Sequence, residues 1–466
     1  MRLVVIGNGM AGARLADEVR ARDKDIRITV FGAETRGPYN RVLLSNVLAG
    51  TASPEQVRLP AQPDGVTTRL GVTVTAIDRK ARTVRTDDGA AEPYDVLVLA
   101  TGSEPVVPPI PGADRAIAFR TMDDCHRILA AAATATGAIV VGGGLLGVEA
   151  ARGLAGRGMP VTLLHLAGHL MDRQLDAEAG LVLGEALAGL GVTVRTAVQV
   201  TAIHPHGVEL ATGEVLASEL VVLACGVRPL VSLARDAGLE VNRGVVVDDH
   251  MRASDPAIYA IGECAQHDGT VYGLVAPAWE QAAVVADLIT GADRAARYRG
   301  SRLVTRLKAR SVELASMGEA HLNEDPSGEV EVVRFTHRAR GIYRKLVIRN
   351  DRLVGAILLG EAPTVGTLTQ LYDRGGPLPG DPAGLLFPSS VEHATPADSP
   401  VRMPDSARVC ECNNVTKGRI RACWEAGARD TAAVAAATRA TTGCGSCRDA
   451  VEGIIGWLCE QEEVRA

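Results

Sequence analysis

The fold is decided by the stretch LVVIGNGMAG at residues 3–12, an apolar run that ends in glycines spaced Gly-x-Gly-x-x-Gly. This spacing after a buried strand predicts a tight turn into a helix, with room for a pyrophosphate to approach the backbone. A helical pattern follows over 13–22 and a second strand over 26–31, and Glu34 lies 22 residues past Gly12. An acid at that place can accept hydrogen bonds from a ribose diol. The stretch therefore predicts a dinucleotide site.

The same pattern returns in AIVVGGGLLGVE at residues 138–149, followed by a helix to about residue 156 and a strand over 160–165. Two such units predict two dinucleotides, of which one is usually a tightly held flavin and the other a diffusible nicotinamide coenzyme. The second unit ends its strand at His165, where an acid commonly selects NADH. No arginine replaces that acid immediately, so the choice between NADH and NADPH stays open.

Two further segments flank the second unit and connect the first unit to FAD: YDVLVLATGS at 94–103 and IYAIGECA at 258–265. Each reads as a buried strand that ends in a small-residue turn close to a cofactor. The predicted domains are an FAD-binding domain (1–118 and 239–295), an inserted NAD(P)H-binding domain (119–238), a small α+β interface domain (296–376), a Pro-rich linker (377–405) and a cysteine module (406–466).

Composition limits the functions that this chain of 466 residues can have. Its net charge of −6 and pI near 6.0 argue against general nucleic-acid binding. The apolar stretch around 138–154 is interrupted by glycines, Glu149 and Arg152, so it does not predict a membrane span. The start of the chain does not resemble a signal peptide, and nine cysteines without one fit a reducing compartment. We therefore expect a cytoplasmic protein.

Four cysteines near the C-terminus carry a different chemistry, in the motifs CEC at 410–412 and CGSC at 444–447. Four thiolates at this spacing suit one soft metal centre, either an iron–sulfur cluster or a zinc ion. A helix predicted from Arg448 onward would offer N–H donors to an anionic cluster. Iron fits better, because a flavin can pass single electrons to iron but not to zinc. The alternatives are structural zinc and a set of reduced thiols without a metal.

Several motifs occur together in a familiar order: GNGM at 7–10, PYNR at 38–41, GECA at 262–265 and the cysteine module. The chain resembles the N-terminal part of the large subunit of assimilatory NAD(P)H nitrite reductases. It resembles even more closely the free-standing electron-transfer subunit of assimilatory nitrate reductases. We expect that subunit to have the same domains and to stop after the cysteine module. The resemblance implies an α/β flavoprotein with two dinucleotide-binding domains, like glutathione reductase. It also implies a small α+β domain and an α-helical module of the bacterioferritin-associated ferredoxin (BFD) type with a [2Fe–2S] cluster.

The motifs and the resemblance together give the predicted site residues. Those assigned to FAD are Gly7, Gly9, Met10, Ala11, Gly12, Glu34, Arg41, Ser45, Thr101, Gly262, Glu263 and Pro277. Those assigned to NAD(P)H are Gly142, Gly144, Leu145, Leu146, Gly147, Glu149, His165, Gly226 and Arg228. The predicted cluster ligands are Cys410, Cys412, Cys444 and Cys447. No acid–base catalyst is assigned, because hydride transfer to flavin needs stacking and distance rather than a proton donor.

The partner is expected to be another protein, because the sequence shows no terminal catalyst of its own. The first hypothesis is electron flow from NAD(P)H through FAD and [2Fe–2S] to a molybdenum-containing nitrate reductase catalytic subunit. The second hypothesis is delivery to nitrite reductase or to another redox protein. The third hypothesis is a non-catalytic, NAD(P)H-responsive binding module with structural zinc. Neither nucleic acid nor a membrane is an expected partner.

Overall fold

The computed structural model describes residues 1–307, 312–325, 328–360, 364–378, 380–387, 403–410, 415–441 and 447–465. The chain divides into two compact units. The first unit contains residues 1–147, 157–164 and 198–301, and the second contains 148–156, 165–197 and 302–466.

The first unit is built on a sheet of five parallel strands. In spatial order they are Ile258–Ala260, Val96–Leu99, Arg2–Ile6, Arg27–Gly32 and Val66–Leu70. The central strand, Arg2–Ile6, is buried from Leu3 onward, as expected for a parallel strand covered on both faces. The helix Met10–Arg22 follows this strand directly and packs against the helix Val275–Thr290.

The segment of chain between two strands of the first sheet, Val96–Leu99 and Ile258–Ala260, forms a second parallel sheet. Its strands in the first unit follow the order Val161–Leu164, Ala138–Val141, Leu220–Leu223 and Ile117–Ala118. The chain leaves the first sheet after Val96–Leu99 and returns to pair Ile258–Ala260 with that same strand. The second fingerprint therefore lies in an excursion from the first sheet, which is the topology that an inserted domain requires.

Smaller sheets and short helices complete the first unit. The remaining strands are Val74–Asp78, Thr83–Thr86, Ala91–Pro93, Ser103–Pro105, Val200–His204, Gly207–Leu210, Val215–Ala217, Val227–Pro229, Val245–Val247, Ala265–His267 and Thr270–Val271. The remaining helices are Leu44–Ala49, Met122–Ala132 and Ser232–Asp236. The helix Met122–Ala132 begins with a capping box in which Thr121 and Asp124 satisfy each other's backbone N–H groups.

The second unit contains a five-stranded antiparallel sheet. Its strands follow the order Val304–Leu307, Leu314–Gly318, Arg352–Leu359, Ile342–Arg349 and Val330–His337. The helix Val365–Arg374 packs on it through Leu368 and Tyr372. We call this sheet and helix the small domain. The same unit includes the strand Val192–Arg195 and the helix Ala177–Gly189, which packs against two of the small domain's strands.

The end of the described chain is mainly helical. A hairpin of Arg408–Cys410 and Val415–Thr416 precedes the helices Lys417–Glu425, Thr431–Thr438 and Arg448–Arg465. Much of the stretch predicted as an extended linker lies outside the described residues. Its first part is not extended, because Pro382–Leu385 form a 3-10 turn and Leu386 is buried in the core of the small domain. Within the described ranges, no helix is long and apolar enough to cross a membrane.

Candidate flavin, coenzyme and cluster sites

The glycines of the first fingerprint have two different structural roles. Gly7 has a positive φ of 113°, and a Cβ there would overlap the carbonyl oxygen of Ala100. A Cβ at Gly12 would overlap the carbonyl oxygen of Gly7, so this glycine lets the helix approach the turn. A Cβ at Gly9 meets no described atom within 4 Å. Gly7 and Gly12 therefore serve packing, whereas Gly9 leaves open space beside the backbone.

Several predicted flavin residues follow parallel strands of the first sheet, and the carboxyl ends of these strands share one edge. Gly7 follows Arg2–Ile6, Glu34 follows Arg27–Gly32, and Thr101 follows Val96–Leu99. Gly262 and Glu263 follow Ile258–Ala260. This edge is where open α/β sheets bind nucleotides. The topology thus places residues at one edge that are more than 200 positions apart in sequence.

Glu34 and Arg41 contact each other in this structure. Arg41 donates to Oε1 of Glu34, and the Tyr39 hydroxyl donates to Oε2 at 2.8 Å. The Arg41 guanidinium lies 5.0 Å from the centre of the Tyr39 ring. Because an ionised carboxylate has about four acceptor positions, Glu34 keeps capacity for a ribose hydroxyl. The sequence prediction placed both residues at FAD but missed Tyr39, which connects them.

The electrostatics of this pair favour a fixed charge on Arg41. Burial by itself would lower the pKa of Arg41, but the adjacent Glu34 carboxylate raises it above its ordinary value. Burial also raises the pKa of Tyr39, so its hydroxyl stays protonated and donates. The backbone N–H of Met122 in turn donates to this hydroxyl at 3.1 Å. A permanent cation beside a nucleotide fingerprint suits a phosphate ligand.

Glu263 has an ion-pair partner that no sequence signal indicated. Arg120 donates to Oε2 of Glu263, and the Ser103 hydroxyl donates to the same oxygen at 2.8 Å. Arg120 also donates to the Ser103 hydroxyl at 2.8 Å. The Thr101 hydroxyl donates to the carbonyl of Leu230 at 2.8 Å, so it is engaged within the protein. Arg120 and Ser103 thus join the group of charged and polar side chains at this edge.

Polar atoms without partners test whether FAD fits the first fingerprint. The Ser45 hydroxyl and both amide atoms of Asn8 are buried without a hydrogen-bond partner in the part of the chain that the structure describes. Such groups are rare in folded proteins unless a ligand or water satisfies them. The helix Val275–Thr290, with Pro277 in its first turn, has no side-chain cap at its N-terminus. These unsatisfied donors and acceptors fit a polar dinucleotide.

The helix Val275–Thr290 is tied to the same turn as Glu263. Gly262 has a φ of 77°, and its N–H donates at 2.8 Å to the side chain of Gln281, which is 1% exposed. A Cβ at Gly262 would lie 3.1 Å from the Cβ of Ala11, beside the first fingerprint. This close packing holds the helix N-terminus, the fingerprint and the turn in one arrangement.

The second fingerprint repeats the geometry of the first. Gly142 has a φ of 112°, and a Cβ there would overlap the carbonyl oxygen of Ala224. A Cβ at Gly147 would overlap the carbonyl oxygen of Gly142, whereas one at Gly144 meets no described atom within 4 Å. Leu145 and Leu146 begin the helix Leu145–Ala155 and are only partly buried. This turn therefore has the open space that a pyrophosphate needs.

Gly226 and Arg228 lie in the strand and turn that follow Leu220–Leu223. Gly226 has a φ of 98°, and its carbonyl accepts from the N–H of Val106 at 2.9 Å. Arg228 donates to Glu104 at 2.7 Å, with 70% of its own side chain exposed. An arginine this exposed remains available to a phosphate, at the expense of a weak surface ion pair.

Glu149 and His165 belong to the second unit. Glu149 is buried in the helix Leu145–Ala155 and is 5% exposed. The His165 ring contacts Asp172 through Nε2 at 3.0 Å. Position 165 itself is not acidic, but Asp172, seven residues downstream, brings a carboxylate next to the His165 ring. This contact does not decide between NADH and NADPH.

Two of the four predicted cluster ligands lie in the described chain, and Cys412 and Cys444 lie outside it. Cys410 and Cys447 are 1% and 5% exposed and belong to one packed cluster with Val415 and Val451. The backbone N–H of Thr441 donates to the sulfur of Cys447 at 3.2 Å. Hydrogen bonds to sulfur and a helix N-terminus, here at Arg448, stabilise an anionic cluster. Among the described residues, no group of three or more His, Cys, Asp or Glu could hold a metal ion.

The cysteines of the first unit, Cys125, Cys225 and Cys264, lie in surroundings that disfavour the reactive thiolate form. Burial raises the pKa of Cys125 to about 11 and also raises that of Cys264 and Cys225. A thiol must ionise to act as a nucleophile, so these values disfavour disulfide chemistry. The sequence also has no Cys-x4-Cys or Cys-x2-Cys motif beside the first fingerprint.

Residues 1–282 match the family described as pyridine nucleotide-disulphide oxidoreductase. The chain belongs to this oxidoreductase family. Residues 304–374 match the rubredoxin NAD+ reductase C-terminal domain, and residues 408–457 match the BFD-like [2Fe-2S] binding domain. The fold class and the cofactor set of FAD, NAD(P)H and [2Fe–2S] predicted from sequence are thereby confirmed.

Relatives that align with nearly the whole chain come from nitrogen metabolism. The chain is 40% identical to a nitrite reductase [NAD(P)H] of Bacillus subtilis strain 168, over 97% of this chain and 57% of the relative. It is 36% identical to an assimilatory nitrate reductase electron transfer subunit of the same strain, over 99% of this chain and 60% of that relative. The family resemblance noted from the motifs is thus confirmed.

A solved structure of similar fold is the covalent putidaredoxin reductase–putidaredoxin complex. The match has a TM-score of 0.75 at 27% identity and covers 83% of this chain and 96% of that one. By contrast, the chain spans only about three-fifths of the length of the two Bacillus relatives. The electron transfer subunit is thus longer than this chain.

Proposed function

We propose that this chain is an NAD(P)H-dependent reductase that passes electrons through FAD and a [2Fe–2S] cluster to a separate protein. The observation that carries the proposal is that one chain combines a two-nucleotide oxidoreductase, over residues 1–282, with a BFD-like [2Fe-2S] binding domain, over residues 408–457. When bound, FAD accepts electrons in pairs from NAD(P)H and can give them singly to iron.

The chain's own residues bind and orient the cofactors in this proposal. Gly9 and Gly144 leave the backbone open to a pyrophosphate, and the helices that start at Met10 and Leu145 direct N–H groups towards it. Glu34 holds a ribose, while Arg41 supplies a positive charge beside it. The N-terminus of the helix Val275–Thr290 favours negative charge at the flavin ring. The domain boundaries and the assignment of each residue are part of the proposal.

The proposed partner is a molybdenum-containing nitrate reductase catalytic subunit. The similarity to an assimilatory nitrate reductase electron transfer subunit, over 99% of this chain, supports it. Nitrite reductase is the second candidate, and the 40% identity to a nitrite reductase [NAD(P)H] favours it. We place the reaction in the cytoplasm, as expected for a nitrogen-assimilating enzyme.

The test separates the flavin from the cluster. Cys447→Ser removes one predicted ligand, and we expect NAD(P)H–ferricyanide activity to persist because ferricyanide can accept electrons from flavin directly. Delivery to nitrate reductase, or to nitrite reductase in a parallel assay, should be lost. Cys423→Ser is the matched control outside the predicted ligand set, and it should leave both activities unchanged. Equal loss of both activities in Cys447→Ser would contradict separate roles for flavin and cluster, and so would zinc instead of iron in the purified protein.

A further inference from the structure

The loop over residues 165–176 is held by the small domain. It begins at His165, directly after the strand Val161–Leu164, and ends at Asp176, which precedes the helix Ala177–Gly189. Asp176 caps that helix, because its Oδ1 accepts from the N–H of Ala179 at 3.0 Å. His165, at the start of this loop, is one of the residues that the sequence analysis assigns to NAD(P)H. Contacts that fix the position of this loop can therefore affect the affinity for the coenzyme.

Three side chains of the small domain, and His321 in the turn after its strand Leu314–Gly318, bind three neighbouring positions at the end of this loop. The Ser316 hydroxyl donates to the carbonyl of Gln174 at 2.5 Å, and His321 donates through Nε2 to the carbonyl of Arg173 at 2.8 Å. Lys345 and the Tyr343 hydroxyl both donate to Oδ2 of Asp176, at 2.9 and 2.7 Å. Two of these contacts hold backbone carbonyls, so they fix the path of the chain rather than one side chain.

The contact with Asp176 is unusual in its burial. The Lys345 side chain is 0% exposed, and that of Asp176 is 16% exposed. Burial would raise the pKa of Asp176, but the hydrogen bonds from Tyr343, Ala179 and Lys345 lower it below its usual range. A buried lysine stays charged only when a partner compensates its lost hydration. The carboxylate of Asp176, at the end of the loop, thus compensates the charge of Lys345.

The small domain also contacts the same helix through an exposed ion pair. Arg338 pairs with Glu185 on the helix Ala177–Gly189, and their side chains are 58% and 49% exposed. An exposed pair of this kind contributes little and tolerates replacement. The buried pair lies at the end of the loop, whereas the exposed pair lies nine residues further along the helix, at position 185.

We propose that the small domain positions the 165–176 loop for NAD(P)H, with Lys345, Tyr343 and Ser316 as positioning residues that act through Asp176 and Gln174. This inference rests on the proposed function, because it assigns the loop to the coenzyme. It gives the small domain a role in coenzyme affinity in addition to its place in the architecture.

The test compares Lys345→Met and Ser316→Ala with Arg338→Met in the full-length, FAD-loaded protein. The first readout is hydrogen–deuterium exchange of the 165–176 amides without coenzyme, which should become faster in Lys345→Met and Ser316→Ala only. The second readout is steady-state kinetics with ferricyanide. For Lys345→Met we expect the KM for the coenzyme to rise about tenfold at unchanged kcat, which is the size of a typical coupling between sites. Arg338→Met should match the wild type in both.

Ser316→Ala keeps the test decisive if Lys345→Met does not fold, because it removes a single hydroxyl. Unchanged exchange and unchanged KM in folded Ser316→Ala and Lys345→Met would overturn the inference. An equal rise of KM in Arg338→Met would also overturn it, since that result would indicate general docking. Failure of the proposed function looks different, because then NAD(P)H would not bleach the flavin of the wild-type protein.

Discussion

The two nucleotide fingerprints share one frame and differ in what surrounds it. In both, the first glycine lies against the carbonyl that follows a neighbouring strand, Ala100 or Ala224, and the third lies against the carbonyl of the first. In both, a Cβ on the middle glycine meets no described atom within 4 Å. The shared geometry comes from steric contact between strand, turn and helix, and it does not depend on which nucleotide binds.

The differences lie in the charged groups. The first fingerprint is accompanied by Arg41 and Glu34, whose side chains are 25% and 30% exposed, and the second by Arg228 and Glu104, of which Arg228 is 70% exposed. A partly buried, preorganised pair of charges suits a cofactor that stays bound, whereas an exposed arginine suits a coenzyme that comes and goes. The two turns thus share their glycine geometry and differ in how exposed the neighbouring arginine is.

The largest expected effect comes from alanine at the third glycine of each fingerprint. In Gly12→Ala the new Cβ overlaps Gly7, so strand and helix separate, the protein loses about 1–3 kcal/mol of stability and it is purified without FAD. In Gly147→Ala the yellow flavin remains, but bleaching by NAD(P)H slows about 100-fold because the coenzyme is displaced. Absorbance spectra before and after addition of NADH and NADPH measure both results.

The matched controls for these variants are Gly9→Ala and Gly144→Ala. A Cβ at either place meets no described atom within 4 Å, so the apoprotein should keep its stability to within about 0.5 kcal/mol. Loss of nucleotide binding with the fold intact would then identify the middle glycines as contacts to the ligand. If Gly12→Ala retained FAD, the packing role of the third glycine would be refuted.

A smaller effect is expected at the residues that follow the second strand of each fingerprint. Glu34→Ala should weaken FAD binding to the apoprotein by about 1.5–3 kcal/mol, the range for hydrogen bonds to charged groups. His165→Ala should weaken coenzyme binding by only about 0.5–1.5 kcal/mol, the net contribution of a typical hydrogen bond. Titration of apoprotein with FAD and of the oxidised holoprotein with NAD+ gives the two constants. A larger loss at His165 than at Glu34 would reverse the proposed contrast.

The smallest effect concerns the helices of the two fingerprints, where the first has Asp17 and the second has Arg152 at the same distance from the first glycine. Burial raises the pKa of Asp17 from 3.8 to about 6. The folded protein therefore favours the protonated acid, and this contribution to stability is lost as the pH rises through about 6. Asp17→Asn should be more stable than wild type by about 1–2 kcal/mol above pH 7, after allowance for partial exposure.

Thermal unfolding of Asp17→Asn and wild type between pH 4 and pH 8 measures this difference. The advantage of asparagine should grow over the lower part of that range and become constant above about pH 7. A constant difference at all values of pH would mean that Asp17 ionises normally in the folded protein.

Much of the architecture could be predicted because its signals are local. The strand and glycine pattern at 3–12 and its repeat at 138–149 both fold as strand, turn and helix, at Arg2–Arg22 and Ala138–Ala155. The structure of the proline-rich segment was harder to predict from the sequence, because Leu386 is buried against strands of the small domain that lie far away in sequence. Prolines predict an extended chain, but an apolar side chain next to them can still find a core.

The site residues divide along the same line. Gly7, Glu34 and Arg41 lie in or beside motifs, so the sequence indicated them. Arg120 lies in no motif and follows the strand Ile117–Ala118 of the second sheet. Its partner Glu263, 143 positions away, follows the strand Ile258–Ala260 of the first sheet, so only the folded chain brings the two together. The contacts of Lys345 and Ser316 with the 165–176 loop were equally hidden, since they join segments about 140 to 170 residues apart.

The sequence alone determined that this protein holds two dinucleotides and a sulfur-ligated centre, because glycine spacing and cysteine spacing act over a few bonds of backbone. The tertiary structure alone decided which charges face one another: Arg41 with Glu34, Arg120 with Glu263, and Lys345 with Asp176. The physical reason is that backbone sterics are set by neighbours in the chain, whereas the energy of a charge depends on burial and on partners that only the folded chain brings together.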